Sequence, residues 1–185
     1  MSNVKKDPPE FILDTDDGND CAGHAAGMPL RRDLKLLPIE DVTLDLFRCV
    51  GLMFSTGDGN YWNCALEHAE KQLGVLDGPL FVARLTTLLR AIRTERHGAF
   101  SFLSAGCLHI CDDEFAVMTM IKAARQGNFE TLHEVAHHFA RSSTVRRIDY
   151  AIRAIASEQS RHVKEPRHPS DEAAADRQQA VPTLH

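Results

Sequence analysis

His133-Glu134-Val135-Ala136-His137 places two imidazoles four residues apart around a glutamate. Residues four apart on a helix share a face, so both rings can hold one zinc ion while the glutamate activates the metal-bound water. This spacing points to a zinc-dependent hydrolase with His133 and His137 as ligands and Glu134 as the general base. Glu158 lies downstream as a candidate third ligand. The chain holds ten histidines, so a chance match to a five-residue pattern stays open. The helical wheel sets Phe129, Leu132, Val135, Ala136, Phe139 and Ala140 in a buried arc. His133 falls at its edge, His137 further out, and Glu134 and His138 on the solvent side. The competing reading is a surface helix that carries three histidines.

A second set of metal-binding residue types lies elsewhere. Cys64 and His68 are four apart, as are Cys107 and Cys111, with His109 between the latter two. Together Cys64, His68, Cys107 and Cys111 are a candidate tetrahedral zinc site, although the usual tight C-x2-C spacing is missing. The alternative is that these thiols are small buried apolar groups. Cys107, His109 and Cys111 alone would suit redox sensing or transient metal binding. Glu130-x-x-His133 and Glu134-x-x-His137 each match a di-iron ligand pair, but both lie on one helix where a bundle site needs two. The chain has no Gly-rich phosphate loop, nucleophile elbow or dinucleotide fingerprint.

The third constellation is basic. Arg141, Arg146, Arg147 and Arg153 fall within a short stretch that also holds Tyr150. If Val145, Ile148 and Ile152 point inward, these arginines and the tyrosine project outward. They form a local positive patch in a chain of net charge −5. Guanidinium groups can bind guanine edges or phosphates, and a tyrosine hydroxyl can reach a phosphate.

Residues 113–156 resemble the helix-turn-helix of bacterial regulators. Thr131, Leu132, Glu134, Val135 and Ala136 carry the likeness in the first helix. Ser142, Thr144, Val145, Arg147 and Ile148 carry it in the turn and second helix. The turn is about one residue short, Ala140 or Arg141 stands where glycine is usual, and no wing strands follow. The resemblance implies a regulator that acts on DNA or a protein partner, possible as a homodimer, through Arg141, Arg146, Arg147, Tyr150 and Arg153. That reading requires no cofactor; only the metal readings call for zinc. A helical protein-interaction module without catalysis is the remaining alternative.

These residues must be positioned by helices. Hydrophobic residues make up 43% of the 185-residue chain and aromatic ones 6%, so a folded, mostly aliphatic core is expected. The apolar period is helical nearly throughout. Val42, Leu46, Val50, Met53 and Phe54 line a first helix that ends at Gly57-Asp58-Gly59. A second runs from Tyr61 to Leu73, with Gly74 after it. Pro79 opens a third, reaching about Arg96, whose stripe is Phe81, Leu85, Leu88, Leu89 and Ile92. Arg84, Arg90 and Arg93 lie off that stripe.

Residues 99–111 read as a loop, and Asp112 as the cap of a helix carrying Val117, Met118, Ile121 and Ala124. Asn128 caps another helix to about Ala140, and Ser143 or Thr144 caps the last. The expected fold is all-α, with about six helices in a compact bundle over 39–158 and disordered tails at 1–38 and 159–185. No run reaches membrane-spanning length, and the polar start lacks a signal-peptide core. The expected location is the cytoplasm, with reduced cysteines, no disulfides and no membrane partner.

Overall fold

The structure, a computed structural model, describes residues 27–164. Cys21, His24 and most of both expected tails lie outside the described residues. A short 3-10 helix, Arg31–Leu34, precedes six α-helices. These are α1 (Pro38–Thr56), α2 (Gly59–Leu73), α3 (Asp77–Glu95), α4 (Asp112–Arg125), α5 (Phe129–Ala140) and α6 (Arg146–Lys164). The described residues contain no strand beyond an isolated bridge between Leu30 and His109. The all-α architecture expected from the apolar period is the one observed.

Helix ends follow the local chemistry. Gly57 and Gly74 close α1 and α2 at positive φ, where a side chain would be strained. Asn128 accepts from the Thr131 amide at the start of α5. Cys111, not Asp112, is the N-cap of α4, because Glu114 accepts from the Cys111 amide and pulls the start back by one residue. Pro79 is the third residue of α3 rather than its first. It remains within the first turn, where a missing N–H costs nothing.

Gly78 shows why α3 starts where it does. A Cβ there would stand 2.7 Å from Ala69 C and Glu70 N, so the helix lies directly on the backbone of α2. Gly78→Ala is expected to lower stability by about 1–3 kcal/mol in urea unfolding, since backbone cannot yield as a side chain can.

One core links the helices. Leu44, Phe47 and Val50 of α1 meet Phe81, Leu85, Leu88 and Ile92 of α3, with Val117 and Ile121 of α4 and Leu132 and Ala136 of α5. Ile148, Ile152 and Ile155 complete it from α6 and are fully buried. Helix α6 packs along α3, and α4 packs against both α5 and α6. Glu95 at the end of α3 meets the start of α6, while Arg84 meets Glu158 near its end, so the two helices run antiparallel.

Two boundaries differ from the sequence reading. The ordered fold begins before residue 39: Arg31 bonds Asp41 at 2.5 Å and Asp45 at 2.5 Å, and its amide bonds the Leu108 carbonyl. At the other end α6 runs past Glu158 to Lys164. Glu158 is buried against Arg84 and Arg161, and Gln159 donates to Thr43 Oγ1 at 2.8 Å. Polar side chains bury here by pairing, which leaves no apolar period to read.

Candidate functional site

Three constellations were expected, and the structure treats them differently. Cys64 lies on α2 beside Cys49 of α1, and burial, with Cys64 adding to it, pushes the Cys49 thiol up to about 12. Burial, and Glu67 with it, also raises Cys64. His68 faces Asp45 at 3.9 Å, and burial lowers its pKa. Cys107 and Cys111 pack instead with Leu103 and Met28 in the 99–111 loop.

Burial pushes the Cys111 thiol up to about 11. Among the described residues, no three histidine, cysteine, aspartate or glutamate side chains are gathered to hold a metal. The four-ligand site of Cys64, His68, Cys107 and Cys111 is therefore not assembled. The burial that raises Cys111 disfavours the thiolate form on which redox sensing relies.

The 99–111 loop is fixed by a buried ion pair. Arg48 of α1 is fully buried and bonds Glu114 of α4 through Nε at 2.7 Å and Nη2 at 2.9 Å. Nη1 donates to the Cys107 carbonyl and Nη2 to the His109 carbonyl, both at 2.5 Å. Glu114 also accepts from the Leu103 and Cys111 amides. This unit closes the backbone of a loop that has no secondary structure of its own.

His133 and His137 are exposed on α5, as the helical wheel requires. They share an open cleft of about 200 Å³ with Ser143, Val145, Arg146 and Asp149. His133 Nε2 stands 3.2 Å from Asp149 Oδ1, and His137 Nδ1 donates to the Ser142 carbonyl at 2.9 Å. Glu134 is exposed and does not line this cleft. Glu158, the expected third ligand, is held by two arginines two and a half helical turns further on, about 13 Å from Asp149 along the axis. The hydrolase constellation of His133, His137, Glu134 and Glu158 is thus not brought together.

The basic stretch fares better. Val145 is buried with Ile148 and Ile152, and Arg146, Arg147 and Tyr150 point outward, Tyr150 at 73% exposure. Between α3 and the start of α6 lies a groove of about 400 Å³. Arg146, Arg147 and Tyr150 form one wall; Thr87, Arg90, Ala91 and Thr94 form the other. None of these residues is acidic. The neighbouring carboxylates are engaged elsewhere: Glu95 on backbone amides, Glu158 on two arginines, and Asp149 on Arg153.

Most arginines among the described residues have partners. Arg31, Arg48, Arg84, Arg96, Arg125 and Arg153 bind carboxylates, and Arg93 lies over the Phe54 ring. Arg32, Arg90, Arg141, Arg146 and Arg147 have no side-chain partner among the described residues, and three of them, Arg90, Arg146 and Arg147, line the groove. Sequence reading missed Arg90, whose only signal was its place off the apolar stripe of α3.

Arg153 is not part of this surface. Its Nε bonds Asp149 at 2.8 Å and its guanidinium lies 4.0 Å from the Phe129 ring centroid, on the side of α5. Phe129 in turn is exposed rather than buried. Arg141 is exposed and caps α5 in the left-handed region at φ 50°, where a glycine was missed in the sequence.

The start of α6 is capped from a distance. Glu95 accepts from the Arg147 amide at 2.9 Å and the Ile148 amide at 3.0 Å, where Ser143 or Thr144 was expected. A carboxylate there offsets the helix dipole and leaves the arginine side chains to face outward. Glu95→Ala is expected to lower stability by about 1–2 kcal/mol, and more than Ser143→Ala or Thr144→Ala does, in parallel urea titrations. Comparison with protein-family models, with curated proteins and with solved structures finds no match for this chain.

Proposed function

We propose that this protein binds duplex DNA through the α3–α6 groove, as a regulatory protein rather than an enzyme. The observation that carries this reading is the convergence of Arg90, Arg146 and Arg147 without a carboxylate among the groove-lining residues. Three unpaired guanidinium groups around one concavity match a row of phosphates, and salt release on binding supplies the driving force. Tyr150 and the Thr87 and Thr94 hydroxyls add neutral partners for phosphate oxygens.

The helix order supports the same reading. Helix α4 braces both α5 and α6, as the support helix of a helix-turn-helix does, and the exposed arginines sit in the first turn of α6. The surface is wider than that motif alone, because α3 contributes one wall. The overall charge of −5 keeps binding confined to this patch. No helix among the described residues is long and apolar enough to cross a membrane.

Fluorescence anisotropy with a labelled random-sequence duplex tests the reading. Binding is expected with a Kd on the order of 10⁻⁴ to 10⁻⁶ M at moderate salt, weakening as salt rises. Absence of any salt-dependent binding by the folded chain removes it.

A further inference from the structure

We propose that the acidic stretch of residues 7–26 docks in the α3–α6 groove of its own chain and masks it. The stretch holds six carboxylates, Asp7, Glu10, Asp14, Asp16, Asp17 and Asp20, and neither lysine nor arginine. It lies outside the described residues; the groove that receives it lies within them. Arg90, Arg146 and Arg147 have no side-chain partner among the described residues, and no acidic residue lines the groove with them. Neither Arg32 nor Arg141 lines it. Guanidinium groups gathered around one concavity repel each other. A run of carboxylates relieves that repulsion and accepts charge-assisted hydrogen bonds.

The chain enters the described fold at the end of the bundle where the groove lies. Met28 packs on Leu103, Cys107 and Cys111, the last of them the N-cap of α4. Two residues on, Asp113 bonds Arg96 at 2.9 Å, and Arg96 directly follows Glu95, which caps the start of α6. At helix spacings of about 8–10 Å, two or three packed helices put Met28 within about 30 Å of Arg146. Fourteen residues separate Asp14 from Met28, and they reach about 45–50 Å when extended. The eight from Asp20 reach about 26–29 Å.

Residues 165–185 fit the groove less well. Their four carboxylates are interleaved with Arg167 and Arg177. They also follow Lys164, the last residue of α6, which stands about 27 Å along the axis from Arg146.

Tethering makes the contact intramolecular, so weak carboxylate–arginine pairing acts at an effective concentration on the order of millimolar. Phe11, Ile12 and Leu13 would cover the exposed ring of Tyr150 in the groove wall. The contact is electrostatic and loosens as salt rises. The masking rests on the DNA reading, because the carboxylates take the places of phosphates and a duplex must displace them. The docking itself does not rest on it.

The test compares the ¹⁵N-labelled full chain with a variant carrying Asp14→Asn, Asp16→Asn, Asp17→Asn and Asp20→Asn. Spectra are recorded without DNA at about 50 mM salt, where surface charges are weakly screened. Backbone amide shifts are expected to differ at Thr87, Arg90, Thr94, Arg146, Arg147 and Tyr150, and the difference should vanish at about 1 M salt. A second variant changes the same charge on the other flank through Glu165→Gln, Asp171→Asn, Glu172→Gln and Asp176→Asn. It should leave those amides in place. Groove amides that match in the wild type and the aspartate variant overturn the proposal. So do differences confined to Arg32 and Lys35, or differences that the second variant reproduces, which mark a general charge effect.

Fluorescence anisotropy with duplex DNA tests the masking. The aspartate variant should bind about tenfold tighter than the wild type near 100 mM salt, and the second variant within about twofold of it. Equal affinity in the wild type and the aspartate variant overturns the masking. Groove shifts without DNA binding by any chain keep the docking and remove the DNA reading; DNA binding without groove shifts does the reverse.

Discussion

Arg48→Met is expected to lower the unfolding free energy by about 3–5 kcal/mol, a large fraction of the stability of a domain this size. The substitution leaves Glu114 fully buried and without its counter-ion. It also strips the Cys107 and His109 carbonyls of their donors. An isolated buried ion pair can often be replaced by apolar residues without loss. Here Arg48→Met combined with Glu114→Leu should not recover stability, because the Leu103 and Cys111 amides then lose their acceptor as well. Urea unfolding followed by circular dichroism checks both variants. A loss below about 1 kcal/mol in the single variant, or full recovery in the double, would show that the loop is held by something other than this unit.

The second large effect is on binding. Combined Arg90→Ala, Arg146→Ala and Arg147→Ala should weaken duplex DNA binding by about 100-fold or more near 100 mM salt. It should also flatten the dependence of log K on log salt by about 3, roughly one for each phosphate contact removed. Arg90→Ala alone should cost as much as Arg147→Ala alone, because the two line opposite walls of one groove. Arg153→Ala should change DNA binding little, since its guanidinium is engaged by Asp149 and Phe129. An Arg90 variant that binds as well as wild type would confine the contact to α6 and remove the groove from the account.

Much of the fold could be read from the chain because its helices carry clean apolar stripes. Phe81, Leu85, Leu88, Leu89 and Ile92 announce α3, and all five are buried. The inward set Val145, Ile148 and Ile152 fixes which way α6 faces, and from it the outward direction of Arg146, Arg147 and Tyr150 follows. Several unread parts share one physical cause: they depend on partners far away in sequence. Glu95 caps α6 from 52 positions earlier, Arg48 meets Glu114 across 66, and Gln159 meets Thr43 across 116.

The same cause explains one wall of the groove. Arg90 joins the groove only because α3 and α6 lie antiparallel, and the local pattern on α3 marks it merely as a residue facing away from the core. Arg153 looks like its neighbours in the sequence. Its position one turn after Asp149 and above Phe129 turns it to another face. The His133–His137 spacing correctly places two imidazoles on one side of α5. It does not reveal that Asp149, rather than Glu134 or Glu158, stands beside them.

The most direct measurement is a map of backbone amide shifts in the ¹⁵N-labelled chain as duplex DNA is added. The account predicts the largest perturbations at Thr87, Arg90 and Thr94 of α3 together with Arg146, Arg147 and Tyr150 of α6, with the exposed Val75, Leu76 and Leu80 unmoved. Perturbations centred on α1 and α2, or none at DNA concentrations well above the expected Kd, would contradict it.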